Sequence, residues 1–231
     1  MVDFPSIITI DGPAASGKST LAEKLARHLG YLYFDTGVMY RAVTLAAMQK
    51  LTSVEDEEQV TALAEQVKID VQPPSKDDGR KYDVLLDGVD VTWEIRTPEL
   101  EAWVSQVSAY VGVRKAMTDQ QRRIGRRGAV VMVGRDIGTV VFPEAGFKLY
   151  LDASVEERAR RRTQELCQRG GEAFLEEILA SMRRRDAIDS TRTVAPLKPA
   201  PDAVILCTDG IAIDQLVEQV LSLLYQPRTN S

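Results

Sequence analysis

The stretch Gly12-Pro13-Ala14-Ala15-Ser16-Gly17-Lys18-Ser19-Thr20 sets two glycines with four residues between them and follows the second with a lysine and a hydroxyl. That spacing is a phosphate-binding loop when a strand precedes it and a helix follows. The β-branched run Ile7-Ile8-Thr9-Ile10 leads in, and an amphipathic segment opens at Ser19. Glycines let consecutive backbone N–H groups turn inward as a nest for phosphate oxygens, and the positive end of the next helix adds to that field. Lys18 is then placed to reach β- and γ-phosphates, and the Ser19 hydroxyl to take a Mg²⁺ ion. The expectation is that Gly12–Thr20 bind a nucleoside triphosphate.

The second chemical signal is arginine. Nine stand between Arg158 and Arg192, at positions 158, 160, 161, 162, 169, 183, 184, 185 and 192. Guanidinium is the group best matched to phosphate oxygens, and phosphoryl transfer needs positive charge closing over the moving γ-phosphate. Arg160 and Arg169 fit a solvated helix face equally well. Arg122, Arg123, Arg126 and Arg127 end a helix, where cations are favoured in any case. The chain offers no Cys/His/His cluster and no Gly-x-Ser-x-Gly elbow, and its single histidine, His28, sits near a helix end that favours it. An alcohol acceptor benefits from a general base. A phosphate acceptor does not, being largely ionised near neutral pH with a second pKa of about 6. Many arginines and no base point to a nucleoside monophosphate kinase.

These residues need a scaffold. Ser6–Ile10 reads as a buried strand, Ser19–Leu29 as a helix stopped by Gly30, Tyr31–Phe34 as a strand, and Val38–Lys50 as a helix capped by Thr36. From Glu55 the pattern changes: a polar helix over Glu57–Val67, a short segment at Ile69–Val71, and a Pro-rich loop. Tyr82–Leu86 and Val89–Trp93 flank Asp87-Gly88, the pattern of a tight hairpin. Helix restarts at Thr97-Pro98 and runs, with a break near Gly112, to Arg127-Gly128. Ala129–Val133, Phe147–Leu151 and Ala203–Cys207 complete five core strands. Helices fall between them: one capped by Ser154, one from Ala173 to Ala187, and one over Ile213–Tyr225. The fold class is α/β, a five-stranded parallel sheet flanked by helices, with the hairpin as an inserted subdomain. Ligands of such sheets bind at the strands' C-terminal ends, so Gly12–Lys18, Asp35–Thr36 and Gly134–Asp136 should converge. The tail after Gln226 reads as disordered.

At 231 residues, with 44% hydrophobic and 27% charged residues, the composition is that of one ordinary globular domain. A net charge of −5 and a pI near 5.1 disfavour nucleic acid as a partner. Cys167 and Cys207 have no paired spacing, no signal peptide is visible and no apolar run approaches a membrane span. A cytoplasmic protein is expected.

The assembled motifs resemble bacterial-type cytidylate kinase, the family that phosphorylates CMP and dCMP with ATP. The likeness runs from Ile7 to about Leu223. Its markers are Ile10-Asp11-Gly12-Pro13, Asp35-Thr36-Gly37 with Tyr40-Arg41, Gly134-Arg135-Asp136-Ile137-Gly138-Thr139, Leu151-Asp152-Ala153-Ser154, and Arg185-Asp186 with Asp189 through Arg192 to Leu197. The resemblance implies a single kinase domain with core 1–64, 106–155 and 170–231, a monophosphate-binding insert over 65–105 and a short lid over 156–169. It implies that Arg41, Arg135 and Arg192 clamp the CMP phosphate, that Arg185 and Asp189 hold the ribose, and that Ser105, Arg114 and Asp136 read the base. Asp35, Thr36 and Tyr40 belong to the same monophosphate site. Arg158, Arg161 and Arg162 resemble lid arginines that act with Lys18 on the γ-phosphate. ATP with Mg²⁺ is the implied donor, and a monomer the expected state.

The base assignment makes chemical sense by itself. Cytosine has an amine donor at C4 and acceptors at N3 and O2, which suit a carboxylate and a guanidinium; uracil reverses the C4 and N3 positions. Asp136 could alternatively be a structural partner of Arg135 or Arg114, and Tyr40 could merely fill helix–sheet space. Other readings stay open at this point: a different small phosphorylated acceptor, or a nucleotide-driven switch.

Overall fold

The computed structural model describes residues 4–168 and 170–226, so Arg169 and the tail after Gln226 lie outside the described residues. Five parallel strands make the central sheet: β1 (Ile7–Asp11), β2 (Leu32–Asp35), β6 (Val130–Gly134), β7 (Phe147–Asp152) and β8 (Val204–Cys207), in the order β2-β6-β1-β7-β8. β6 is buried along its whole length, as an interior strand covered on both faces must be. Registry lines up the C-terminal ends: Asp11 sits beside Gly134 and Tyr150, and Asp35 beside Val133. The loops that follow therefore leave the sheet along one edge, as the sequence pattern requires.

Helices α1 (Lys18–Leu29), α2 (Gly37–Lys50), α5 (Val111–Gly125) and α8 (Ile213–Tyr225) pack around this sheet. Ile8, Ile10, Leu21, Leu25 and Phe34 are fully buried between them. Gly30 stops α1 with φ 69° and donates its N–H to the Ala26 carbonyl. Thr36 does not cap α2 with its side chain. Its hydroxyl donates instead to the Val133 carbonyl at 2.9 Å and ties the β2 loop to β6. No described helix is long and apolar enough to cross a membrane.

Between α2 and α5 the chain builds α3 (Glu57–Gln66), a three-stranded antiparallel sheet of β3 (Ile69–Gln72), β4 (Asp83–Leu86) and β5 (Val89–Asp90), and α4 (Pro98–Val107). The hairpin turn has Asp87 at φ 51° and Gly88 at φ 86°, the two positive angles that match strand twist. β5 ends at Asp90, short of the expected Trp93. The Asp90 carboxylate accepts from Thr92 N–H at 3.0 Å and turns the chain out of the ladder. It also accepts from Arg80, a buried side chain that donates to Asp78 and Asp83 as well and fastens the loop to the hairpin.

The expected helix break near Gly112 falls earlier, at Ser108–Tyr110, and Gly112 lies in the first turn of α5. Its reason is packing: a Cβ at Gly112 would come within 2.1 Å of the Thr61 methyl on α3. After β6, residues Ile137–Val141 form a single π-turn that hydrophobic periodicity does not announce. α6 (Val155–Gln168) carries the expected lid residues as one continuous helix packed against α7 (Leu175–Thr191). α7 runs beyond the expected Ala187, which places Asp189 on its last turn and Arg192 at its end.

Candidate active site

The phosphate loop sits between β1 and α1. Gly12 has φ 145°, and a Cβ there would lie 2.1 Å from the Leu151 carbonyl oxygen, so only glycine lets the loop pass this close to β7. Gly17 takes φ 93° just before α1. Lys18 is buried, and its ammonium donates to the Pro13 carbonyl and, at 3.4 Å, to the Ser16 hydroxyl. Burial, with Arg135 nearby, holds the Lys18 ammonium well below the usual lysine range.

A cavity of about 640 Å³ opens from this loop toward α4 and α5. Ala14, Ala15, Lys18 and Ser19 line it from the loop, Asp35, Thr36, Tyr40 and Arg41 from β2 and α2, and Arg114 from α5. Arg135 and Asp136 reach it after β6, and Arg162, Arg185, Asp189 and Arg192 from α6 and α7. The three expected loops do converge. Gly12, Pro13 and Ser16 are buried beneath the lining, Gly17 turns the loop behind it, and Thr20 is exposed on α1.

Charges inside the cavity alternate in a chain. Arg135 Nε donates to Asp189 at 3.0 Å, Asp189 also meets Arg192 at 3.5 Å, Arg192 meets Asp136 at 3.5 Å, and Asp136 accepts from Arg114 at 2.8 Å. Arg114 is buried over the Tyr40 ring at 5.5 Å, donates to the Ser108 carbonyl at 3.2 Å, and leaves its Nε with no partner among the described residues. So Asp136 does pair with Arg114, and Tyr40 both lines the cavity and supports that arginine. Crowding of cations shows in Arg185, held below the usual arginine range by desolvation in the cleft and by Arg135.

Several expected residues lie elsewhere. Ser105 is exposed on α4 and outside the lining; Ser108, three residues on, faces the cavity instead. Arg158 is buried against Asp186, with Nη1 to Oδ1 at 3.2 Å, and donates to the carbonyls of Ala153 and Ala14 at 3.0 and 3.3 Å. Arg161 bonds Glu157 at 2.8 Å and the Thr208 hydroxyl at 3.0 Å, which in turn donates to the Ser16 carbonyl at 3.2 Å. These two arginines brace the phosphate loop from behind. Of the three lid arginines only Arg162 lines the cavity; its partner Glu165, at 2.9 Å, lies outside the lining.

Sequence reasoning missed Glu101. This α4 carboxylate lines the cavity and forms a close ion pair with Arg41. Its only sequence signal was an acid in the first turn of a helix, which helix polarity alone explains. In the sequence Asp11 stands out only as part of a motif, yet it is buried and accepts backbone hydrogen bonds from Ile137 and Gly138.

A profile described as cytidylate kinase matches residues 8–226. The cytidylate kinase of Roseiflexus castenholzii is 54% identical over 219 residues, which cover 94% of this chain and 93% of that protein. The cytidylate kinase of Chloroflexus aggregans is 52% identical over 218 residues, covering 94% and 93%. A solved structure of an uncharacterised protein from Eubacterium ventriosum superposes with a TM-score of 0.50 at 9% identity, over 96% of this chain and 99% of that one, a likeness of fold alone. Identity above one half, sustained from the first strand to the last helix, is far more than a shared architecture: this chain belongs to the cytidylate kinase family.

Proposed function

We propose that this chain transfers the γ-phosphate of ATP to CMP or dCMP, giving ADP and the corresponding diphosphate. The observation that carries the base preference is the buried Arg114–Asp136 couple in the cavity that also holds Lys18. A guanidinium with an unpartnered Nε beside a carboxylate offers donors and acceptors in the order cytosine needs. Arg41, Arg135 and Arg192 take the acceptor phosphate, and Arg185 and Asp189 take the ribose. Ser105 stands exposed on α4 outside the lining, where Ser108 faces in, and joins Arg114 and Asp136 at the base when the insert closes.

The ATP phosphates rest on the backbone of Gly12–Thr20, with Lys18 against the β- and γ-phosphates. The Ser19 hydroxyl and the Asp35 carboxylate line the cavity, and oxygen donors of this kind suit Mg²⁺, which arrives with ATP as part of the substrate. Bound there, the ion spreads the charge of the β- and γ-phosphates. An acceptor phosphate oxygen attacks the γ-phosphorus in line as the bond to the β–γ bridging oxygen breaks and ADP leaves. Lys18 and Arg162 offset the developing charge. Closure of the insert and lid excludes the water that would otherwise hydrolyse ATP.

Calorimetric titration of the nucleotide-free chain with CMP and UMP tests the base assignment. One mismatched base edge is worth about 1–3 kcal/mol, so UMP should bind about 5- to 150-fold more weakly. Equal affinities would overturn the assignment of Arg114 and Asp136.

A further inference from the structure

Asp11 ends β1 immediately before Gly12 and is 4% exposed. An interior parallel strand calls for an apolar residue, and a buried carboxylate with no cation in contact is costly. What Asp11 does with its charge is specific. One oxygen accepts the Ile137 N–H at 2.9 Å, and the other accepts the Gly138 N–H at 2.7 Å. These are the two amides that follow Asp136. They open the π-turn, where the first N–H groups have no partner within the turn, and a strand on another part of the chain supplies it. Single π-turns recur at functional sites.

The fit leaves no slack. A Cβ on Gly138 would lie 3.0 Å from the Thr9 hydroxyl, 3.2 Å from Lys148 Cδ and 3.4 Å from Asp11 Oδ2. Glycine at 138 thus lets the turn approach β1 closely enough for Asp11 to hold both amides.

We propose that Asp11 is a positioning residue for base selection: by holding the amides of Ile137 and Gly138 it fixes the backbone that aims Asp136 at Arg114. The proposal rests on the reading of Asp136 as a base-reading residue. It also joins the two half-sites, because Asp11 is bonded directly to the first glycine of the ATP loop. Burial raises its carboxyl to about 6, against the two amide hydrogen bonds. The charged and titratable groups facing it are Asp136 from the loop after β6, Lys18 from α1, and Tyr150 from β7. Below about pH 6 one oxygen becomes an O–H that faces an N–H, and half of the tether is lost.

The test measures kcat/KM for CMP and UMP with the full chain, its Asp11→Asn variant and its Asp136→Asn variant. Taking the CMP to UMP ratio cancels titration of the acceptor phosphate, which both nucleotides share. Asn at 11 can accept only one of the two amides, so the ratio should fall about fivefold or more. The wild-type ratio should also fall from about pH 7.5 to about pH 5.5, whereas that of Asp11→Asn stays flat. A merely structural role lowers both acceptors equally and leaves the ratio alone, and that result overturns the proposal. If Asp136→Asn shifts the ratio while Asp11→Asn does not, base reading stands and this inference falls. If Asp136→Asn leaves the ratio unchanged, both fall. Should Asp11→Asn fail to fold, the wild-type profile decides: a constant ratio overturns the proposal, and a fall through pH 6 supports it.

Discussion

Replacing Asp136 by Asn changes one atom and reverses one hydrogen-bonding role. The carboxylate is 6% exposed and lies between Arg114 at 2.8 Å and Arg192 at 3.5 Å. On the proposed reading it accepts from the C4 amine of CMP while Arg114 donates to the ring acceptors. UMP would set its C4 carbonyl against the carboxylate and its N3–H against the guanidinium. Asn keeps the shape but presents an NH₂ that can donate to the uracil carbonyl. A single base-edge contact of this kind discriminates by about 1–3 kcal/mol, so the CMP to UMP ratio of kcat/KM should drop about 5- to 150-fold. There is also a cost to the fold. Arg114, with 5% of its side chain exposed, loses its charged partner. Outright loss of a buried partner costs about 3–5 kcal/mol. The Asn oxygen still accepts from Arg114, and Asp189 still faces Arg192, so about 1–3 kcal/mol is expected. Initial rates of ADP release with each acceptor, beside a thermal melt, separate the two effects. A folded variant with an unchanged ratio refutes the reasoning, as does an equal loss for both acceptors.

Other outcomes follow from the same contacts. Glu101 pairs with Arg41, so on the proposed reading it competes with the acceptor phosphate for that guanidinium; Glu101→Gln removes a partly exposed pair worth about 0.5–1 kcal/mol. The KM for CMP should then fall about 2- to 5-fold in steady-state assays. Arg158→Met leaves Asp186 without its partner and should lower stability by about 1–3 kcal/mol with activity falling alongside. Arg162→Ala should instead lower kcat by about 100-fold with little change in the melt, because its ion pair among the described residues is the exposed one with Glu165. Asp11 has a folded pKa near 6, above its unfolded value, so its contribution to stability is full below about pH 4 and lost as pH rises through 6. Urea melts at about pH 7 and pH 4.5 should show Asp11→Asn losing an increment of about 2 kcal/mol that the wild type gains on acidification.

Local chemistry was legible in the chain. The phosphate loop, the Asp87-Gly88 turn and the Thr97 cap each depend on residues a few positions apart, and each stands where its pattern requires. Strand order was not legible, since it depends on which buried faces meet. Gly112 shows the limit well. A glycine within helical sequence reads as a break, but its cause is Thr61 on another helix. Arg158 and Arg161 show the same limit in the site. Composition cannot tell an arginine held by Asp186 or Thr208 from one facing the cavity, as Arg162 does; only the fold brings those partners there. Which serine faces the cavity is hidden for a similar reason: the turn between α4 and α5 turns Ser108 inward and leaves Ser105 exposed.

The most direct test of the account is ADP release from ATP–Mg²⁺ with CMP, dCMP, UMP, AMP and GMP supplied singly, beside a blank without acceptor. The account predicts rapid turnover with CMP and dCMP and rates near the blank with the other three. Equal turnover of UMP, or no turnover above the blank with CMP, would contradict it.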